Sequence, residues 1–242
     1  MKTIIIIQAR MGSSRLPGKI LMPLGDSVVL DYVVSRCKQV RKVSDVIVAT
    51  SALPQDDAVE EWCRKNNVSF FRGSEDDVLS RYVDAAKPYA PDCVIRVTGD
   101  CPFVDYQLTD TFIEAMERNP SKDLVVWEGE LPRGLVAEVL TYDALLQIDR
   151  EGQEPRHREH VTYYAHEFPG KYSRTVVPVP EPLRFPKLRI TLDTVEDYAL
   201  CRAVADAFPG NKRIPSSDVV AFLNTHPEVA QLNAHIEQKP VV

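Results

Sequence analysis

The chain has 242 residues, of which 44% are hydrophobic and 26% are charged, and its formal net charge is -6 at pH 7. This composition is typical of a folded globular protein and excludes disordered and fibrous classes. The net negative charge argues against a nucleic acid or a membrane surface as a partner, because both are bound through a basic field.

The cysteines and the apolar segments limit the class of protein further. Five cysteines are spread along the chain without a C-x-x-C pair, so the sequence predicts neither a disulfide framework nor a zinc site. No segment approaches the roughly 20 apolar residues that are needed to span a bilayer. We therefore expect a cytoplasmic protein in a reducing compartment.

The first predicted element is a buried strand that ends in a cationic loop. Four consecutive isoleucines, from Ile4 to Ile7, are too few for a helix and are typical of a central parallel strand. Open α/β sheets bind ligands at the carboxyl ends of such strands, so we expect the loop to bind a polyphosphate. The loop residues assigned to a nucleotide are Gln8, Ala9, Arg10, Gly12, Ser13, Ser14, Arg15 and Lys19.

Two other interpretations of this loop are a solvated surface loop and a P-loop. The position directly after the first strand argues against a merely solvated loop. A P-loop needs four residues between its glycines and a Ser or Thr after its Lys. Here five residues separate Gly12 from Gly18, and Ile20 follows Lys19, so the P-loop is rejected.

Strands and helices then alternate through the first half of the chain. Further strands are predicted over residues 45–50, 68–71, 92–97 and 124–127. Helices are predicted over residues 28–40, 56–66, 72–82 and 108–116. This alternation predicts βαβ units, and hence an α/β fold with a mostly parallel central sheet and flanking helices.

The second half of the chain has a different character. Prolines and histidines are frequent between residues 130 and 180, where we expect an excursion from the sheet. Another strand is predicted over residues 185–192, followed by helices over residues 194–208, 216–225 and 227–236. Without any visible repeat, we expect a single domain over residues 1–242, with residues 130–180 as an inserted region.

An aspartate follows the fourth predicted strand at the same sheet edge as the basic loop. Thr98, Gly99 and Asp100 come directly after that strand, and we assign Thr98 and Gly99 to the nucleotide site. A carboxylate that faces a triphosphate is repelled unless a cation lies between them, and Mg²⁺ combines few protein carboxylates with phosphate oxygens. Asp100 is therefore a candidate magnesium ligand, with a helix N-cap or turn aspartate as the alternative. Asp105 is expected to cap the next helix.

The basic loop carries a resemblance to a known family. Its segments QAR (residues 8–10) and SRLPGK (residues 14–19) resemble the signature loop of the cytidylyltransferases that activate acidic sugars. They are especially similar to the SpsF branch of spore coat polysaccharide biosynthesis and to 3-deoxy-manno-octulosonate cytidylyltransferase. The resemblance implies a Rossmann-like nucleotide-diphospho-sugar transferase fold, CTP as donor, Mg²⁺ as cofactor and release of pyrophosphate. It also implies a homodimer that assembles through residues 130–180.

The same resemblance supplies a second metal ligand. The segment ITLDTVED (residues 190–197) resembles the family's strand-to-helix junction DTPED, whose first aspartate matches Asp193. Val195 stands where the family has proline, and Thr194 and Asp197 also have the spacing of a capping box. The expected catalytic residues are thus Arg15, Lys19, Asp100 and Asp193, with the two aspartates on Mg²⁺.

Two segments resemble the acceptor side of the SpsF branch. Residues 131–139 resemble an element that lies against the acceptor sugar, which makes Arg133 and Glu138 candidate acceptor ligands; a solvated hairpin pair is the alternative. Val136 stands where a polar residue is expected. The run RHREHVT (residues 156–162) resembles the family's REHVT, which assigns Arg158 and His160 to the acceptor site through anion binding, or to a dimer contact.

The sequence also suggests which residues contact the base of the nucleotide and which reaction the protein catalyses. Arg72 and Gly73 follow the third predicted strand, where this fold approaches the base; a turn is the alternative. The leading hypothesis is a cytidylyltransferase that couples CTP to an acidic or modified sugar for surface polysaccharide biosynthesis. The alternatives are a metal-dependent glycosyltransferase, whose Asp-x-Asp element follows none of the predicted strands, and a nucleotide-binding protein without catalysis.

Overall fold

The chain folds as alternating strands and helices around one large sheet. The computed structural model describes residues 1–238, so the last four residues of the predicted domain lie outside it. The strands are β1 (Thr3–Gln8), β2 (Pro23–Leu24), β3 (Ser27–Val28), β4 (Asp45–Ser51), β5 (Ser69–Gly73), β6 (Cys93–Thr98), β7 (Leu124–Glu128), β8 (Glu138–Thr141) and β9 (Arg174–Pro178). The α-helices are α1 (Val29–Cys37), α2 (Asp57–Lys65), α3 (Val78–Ala86), α4 (Tyr106–Arg118), α5 (Tyr142–Glu151), α6 (Pro155–Glu159), α7 (Tyr163–Glu167), α8 (Val195–Ala207), α9 (Ser216–Thr225) and α10 (Pro227–Ala230).

Seven of these strands form the central sheet, in the order β5-β4-β1-β6-β8-β7-β9. β8 runs antiparallel to both of its neighbours, and the other pairings described in this sheet are parallel. The predicted α/β class with a mostly parallel sheet is confirmed. Among the helices described, none is long and apolar enough to cross a bilayer.

β1 is an interior strand of the sheet, and its isoleucines are buried on both faces. Ile5 and Ile7 belong to one core cluster, and Ile4 and Ile6 belong to a second cluster on the opposite face. Each of the four side chains has 0% exposure, and burying one isoleucine contributes roughly 1.5–3 kcal/mol. The loop after β1 therefore starts from a strongly anchored strand.

The pairing of β1 with β6 brings two loops together. Gln8, the last residue of β1, is opposite Thr98, the last residue of β6. Beyond the strands, the Gly99 amide donates to the Gln8 carbonyl at 2.8 Å. The basic loop and the segment with Asp100 consequently begin side by side, as parallel strands at one sheet edge require.

Residues 130–180 contribute more to the sheet than predicted. β8 and β9 both come from this range and both belong to the central sheet. The expected excursion from the sheet is therefore wrong for these two segments. Each strand has only four or five residues, and so short a run between prolines has little detectable periodicity.

The strand predicted over residues 185–192 is wrong. Only Arg189 forms a β-bridge, with Arg133, and the rest of the segment has no strand assignment. Pro182 and Pro186 lack amide donors, which disfavours a sheet ladder in this region. Its backbone instead binds loops, because the Leu192 amide donates to the Asp100 carbonyl at 2.8 Å.

Side-chain caps define several helix starts. Asp105 accepts hydrogen bonds from the amides of Gln107 and Leu108, which confirms its predicted capping role. Thr194 and Asp197 form the predicted capping box at the start of α8. The last helix, α10, is shorter than predicted, since it ends at Ala230.

Candidate active site

A cleft of about 850 Å³ opens at the carboxyl ends of β1 and β6. Its walls include the loop after β1, the loop after β6 and the segment around residues 131–136, together with residues of α3, of the end of α6 and of the segment before α8. Of the residues assigned to the nucleotide, those that line it are Gln8, Ala9, Arg10, Gly12, Ser13, Ser14, Arg15, Lys19, Thr98 and Gly99. Asp100 and Asp193 line the same cleft.

Two glycines give the loop after β1 its path. Gly18 has a φ of 72°, in the left-handed region that side chains disfavour, and it leads directly into a short 3-10 helix that starts at Lys19. A Cβ on Gly12 would lie 2.8 Å from Gln55 Nε2 and 3.1 Å from Glu75 Oε1. The loop is therefore held close against its neighbours, and Lys19 projects from a fixed backbone.

Lys19 joins the two aspartates that the sequence assigns to the metal. Its Nζ donates to Asp100 Oδ2 at 2.8 Å, to Asp193 Oδ1 at 2.9 Å and to the Leu192 carbonyl at 2.8 Å. Only 10% of the Lys19 side chain is exposed. The two carboxylates, 93 positions apart in the sequence, thus contact one ammonium group.

Asp193 is held from two further directions. Arg15 Nη2 lies 3.0 Å from Asp193 Oδ1, and Arg189 Nη2 donates to Asp193 Oδ2 at 2.9 Å. Arg189 is fixed in turn by Asp197, which accepts from its Nε at 2.9 Å and also from the Asp193 amide. The position of Asp193 is therefore determined by a buried network as well as by α8.

The charges at this end of the cleft stabilise one another. Burial opposes protonation of Lys19, but Asp100 and Asp193 outweigh it and raise its pKa. Burial likewise opposes ionisation of Asp100, and Lys19 outweighs it, so the pKa of Asp100 is lowered. Both groups are therefore charged at neutral pH, and the cluster joins three cationic side chains, Lys19, Arg15 and Arg189, to the three carboxylates of Asp100, Asp193 and Asp197.

The donor set at this end is compatible with a divalent cation that is shared with a substrate. Among residues 1–238, no group of three or more His, Cys, Asp or Glu side chains could hold a metal alone. Mg²⁺ commonly binds one or two carboxylates together with substrate phosphates and water. Asp100 and Asp193 supply two such carboxylates, so the residues fit this type of site.

Arg10 does not join Lys19 and Arg15. Its Nη1 donates to Glu75 Oε1 at 3.0 Å, and its Nη2 lies 3.7 Å from Glu159. It lines the cleft from the side of α3 and α6. The three cations of the loop are therefore divided between two parts of the cleft, with two of them at the aspartates.

Of the four residues assigned to the acceptor, two line the cleft and two do not. Arg133 and His160 line the cleft, and Arg133 Nε donates to Gln238 Oε1 at 2.9 Å. Burial lowers the pKa of His160, so the imidazole is mainly neutral at pH 7. Glu138 does not line the cleft. It pairs with Arg96 on the neighbouring strand and accepts from the Thr162 hydroxyl at 2.7 Å.

Three other assigned residues are engaged outside the cleft. Arg72 donates to the carbonyls of Ser51 and Leu53 and pairs with Asp57 and Glu60. Gly73, which follows it, does not line the cleft either.

Arg158, on α6, is also engaged outside the main cleft. It pairs with Asp77 at 2.8 Å and with Asp149 at 2.7 Å. It borders a smaller hollow of about 520 Å³ next to the main cleft. The guanidinium is therefore occupied by two carboxylates rather than presented to the main cleft.

Several lining residues were missed by the sequence analysis. Arg96 has a detectable signal, since a charged residue inside an otherwise buried strand demands a buried partner. Arg81, on α3, has no such signal, because arginine is common on exposed helix faces. Trp127 was predicted on a strand without any indication that it faces the cleft, whereas Leu131 lies in the segment whose resemblance indicated the acceptor side.

Comparison with known proteins identifies a family and two related proteins. A family model described as "Cytidylyltransferase" matches residues 4–239. The spore coat polysaccharide biosynthesis protein SpsF of Bacillus subtilis is 37% identical over 94% of this chain and 96% of its own length. A 3-deoxy-manno-octulosonate cytidylyltransferase of Anaeromyxobacter sp. (strain K) is 32% identical over 66% of this chain and 72% of its own length.

A solved structure has the same fold over the full length. The cytidylyltransferase of Leptospira borgpetersenii serovar Hardjo-bovis superposes with a TM-score of 0.90 at 34% identity. The match covers 99% of this chain and 100% of that chain. The Rossmann-like nucleotidyltransferase fold implied by the loop motif is therefore confirmed.

Proposed function

Because this chain belongs to the cytidylyltransferase family, and is thus a nucleotidyltransferase, we propose that it couples CTP to an acidic or modified sugar. A hydroxyl of the sugar attacks the α-phosphorus of CTP, the bond to the β-phosphate breaks, and pyrophosphate leaves. The product is a CMP-sugar for surface polysaccharide biosynthesis. The names of the SpsF and octulosonate relatives support this acceptor class.

One observation carries the proposal: Lys19 and Arg15 meet Asp100 and Asp193 at the same end of the cleft. Phosphoryl transfer needs mainly positioning and charge neutralisation, and it needs no nucleophilic side chain. Lys19 and Arg15 are placed to bind the phosphates of CTP and to neutralise the departing pyrophosphate. When Lys19 and Arg15 bind the phosphates instead of the carboxylates, Asp100 and Asp193 would become available to other ligands.

Asp100 and Asp193 would then hold Mg²⁺, which supplies positive charge at the reacting phosphate. Arg189 and Asp197 keep Asp193 oriented for this role, through the hydrogen bonds described above. Asp100 is oriented by its own backbone, since its carbonyl accepts from the Leu192 amide.

The acceptor is proposed to lie in the part of the cleft lined by Arg133, Val136 and His160. Arg133 brings a positive charge that suits a carboxylated sugar, and the neutral imidazole of His160 can donate to or accept from a hydroxyl. Val136 and Trp127 provide apolar contacts for the sugar ring. Glu138 supports this region indirectly, by fixing Arg96.

Calorimetry with CTP and a pyrophosphate-release assay with 3-deoxy-manno-octulosonate and related acidic sugars test the proposal. The chain should bind Mg²⁺-CTP, and Asp100→Ala should lose nearly all magnesium-dependent pyrophosphate release. Asp218→Asn, an exposed change in the first turn of α9, is the control and should retain activity. A chain that does not bind CTP, or an Asp100→Ala variant with full turnover, contradicts the assignment.

A further inference from the structure

Arg81 is a buried cation at the end of the cleft away from the two aspartates. It projects from α3, is 1% exposed, and lines the cleft together with Gly12 and Val78. Among the described residues it forms no ion pair with a carboxylate. An arginine that is buried without a paired acid is unusual, because burial of a charge is costly unless it is compensated.

The hydrogen bonds of Arg81 leave one edge of its guanidinium unused. Nη1 donates to the Ser74 carbonyl at 2.6 Å. Nε is buried and has no hydrogen-bond partner, and Nη2 donates to none of the described residues. Nε–H and Nη2–H point the same way in a guanidinium, so the unused edge is a fork of two parallel donors.

A carboxylate with an unused oxygen lies nearby. Glu75 accepts from Arg10 through Oε1, while its Oε2 is buried and has no donor. Burial lowers the pKa of Arg81, and Tyr82 and Glu75 oppose that shift through their charges. Arg10 and Glu159 line both the main cleft and the smaller hollow that Glu75 borders, so the two spaces adjoin.

We propose that Arg81 and Glu75 recognise the cytosine base and select CTP over UTP. This inference rests on the proposed function, which supplies the nucleotide. Cytosine presents an amino donor at N4 beside acceptors at N3 and O2. The donor fork of Arg81 matches the two acceptors, and Glu75 Oε2 matches the amino group.

Uracil has the opposite pattern at two of these three positions. Its N3–H would face a donor of Arg81, and its O4 would face a carboxylate oxygen of Glu75. Each mismatch leaves a buried polar group without a partner, which is an effective way to reject a close analogue. Val78, a buried apolar residue of the same wall, can pack against the face of the base.

The position of the pair agrees with the length of a nucleotide. Asp100 and Asp193 lie after β6 and before α8, whereas Arg81 and Glu75 lie beyond β4, at the β5 side of the sheet. The loop after β1 runs between these ends. A nucleotide with its phosphates at Lys19 therefore has its base on the β5 side, where Arg72 is already occupied by two carboxylates and two carbonyls.

Calorimetric titration of the natural chain with CTP and with UTP, in Mg²⁺, tests the inference. Arg81→Met should weaken CTP binding roughly 10- to 100-fold, as expected for lost hydrogen bonds to a charged group. Glu75→Gln keeps the shape and an acceptor for Arg10 but offers an amide donor to uracil O4. It should reduce the preference for CTP over UTP by about 10-fold or more.

Arg72→Met tests the alternative that Arg72 binds the base, which is what the sequence predicted. Thermal unfolding identifies any variant that has lost its fold, and Glu75→Gln, which preserves size, decides the question if Arg81→Met does not fold. The inference is overturned if Glu75→Gln keeps the natural CTP preference, or if Arg72→Met rather than a folded Arg81→Met loses CTP. A natural chain that binds neither nucleotide overturns the proposed function instead.

Discussion

Lys19 Nζ lies within 2.9 Å of three oxygens, from Asp100, Asp193 and the Leu192 backbone. In the protein without nucleotide, this ammonium stands where a cation is needed between the two acids. A phosphate chain offers Lys19 alternative acceptors of higher charge. Nucleotide binding and metal binding are therefore expected to favour each other at this site.

The first prediction concerns Lys19→Met. CTP affinity should fall by about 10- to 100-fold, which corresponds to roughly 1.5–3 kcal/mol for hydrogen bonds to a charged group. Without nucleotide, Mn²⁺ should bind this variant more tightly than the natural chain, because the competing ammonium is gone. Calorimetry with CTP and electron paramagnetic resonance with Mn²⁺ measure the two effects. Lys42→Met, a change in a surface pair with Glu117, is the control, and equal CTP affinity in Lys19→Met would refute the phosphate role.

Glu138 was predicted to contact the acceptor, but in the structure it pairs with Arg96. It is directly opposite Arg96 in the β6–β8 pairing and also contacts Thr162 and His166. Burial favours its neutral form, but Arg96 outweighs burial, and the pKa of Glu138 falls far below its usual value. Its role is to hold the Arg96 guanidinium at the cleft.

The pH dependence of stability follows from this shift. The folded state lowers the pKa of Glu138, so its contribution is complete above the ordinary value of about 4.5 and is lost as pH falls towards the folded value. Glu138→Gln should lower the free energy of unfolding by about 3 kcal/mol at pH 7, because it leaves Arg96 buried without its acid. Urea unfolding at several pH values should show the difference shrinking below about pH 4.5. A difference that is constant down to pH 3 would contradict the linkage.

At the scale of elements, the segment that precedes α8 is held by hydrogen bonds to Asp197, in the first turn of α8, and not by pairing with a strand of the sheet. Asp197, with 0% exposure, binds Arg189 twice, the amides of Asp193 and Thr194, and Asn233. One buried carboxylate thus joins the capping box, the incoming segment and the residues that follow α10. Asp193, the proposed metal ligand, is positioned by this arrangement.

Asp197→Asn tests that arrangement. The amide retains the size of the side chain but removes the fully buried carboxylate of the two that pair with Arg189, so the free energy of unfolding should fall by about 3 kcal/mol. Denaturant unfolding measures the loss, and CTP binding should weaken as Asp193 loses its support. Glu196→Gln changes an exposed acid of the same turn and should leave both quantities unchanged. An Asp197→Asn variant as stable as the natural chain would exclude the anchoring role.

At the scale of the whole molecule, family membership favours a nucleotidyltransferase over the glycosyltransferase and the non-catalytic binding protein that the sequence left open. The homodimer remains a prediction. β9 is the last strand of the sheet and lies within residues 130–180, and its Val176 is 57% exposed. An exposed aliphatic residue on an edge strand is a typical contact for a second copy.

Light scattering tests this prediction directly. We expect the mass of a dimer for the natural chain and of a monomer for Val176→Glu, since a carboxylate at the centre of the contact would remain unpaired. Val195→Glu is the matched control, because Val195 is also exposed, at 63%, but lies at the start of α8. A monomeric natural chain, or a dimeric Val176→Glu variant, would count against assembly through β9.

The sequence by itself determined the local elements and the motif residues that lie around Asp100 and Asp193. The isoleucines of β1, the alternation of strands with helices, and the caps at Asp105 and Thr194 depend on nearest neighbours along the chain. For that reason periodicity and residue type were sufficient to predict them. The motif then named Lys19 and Asp193, and parallel strand order placed Asp100 beside them.

Only the tertiary structure decided which distant side chains meet. The antiparallel insertion of β8 joins Glu138 to Arg96, and the segment at 185–192 binds loops instead of a strand. The sequence indicated Arg72 for the base and gave no signal for Arg81, yet the Arg72 guanidinium is fully paired, whereas Arg81 lines the cleft and its Nε has no partner. Partners of buried charges are chosen by packing between residues far apart in the chain, and no local pattern encodes that choice.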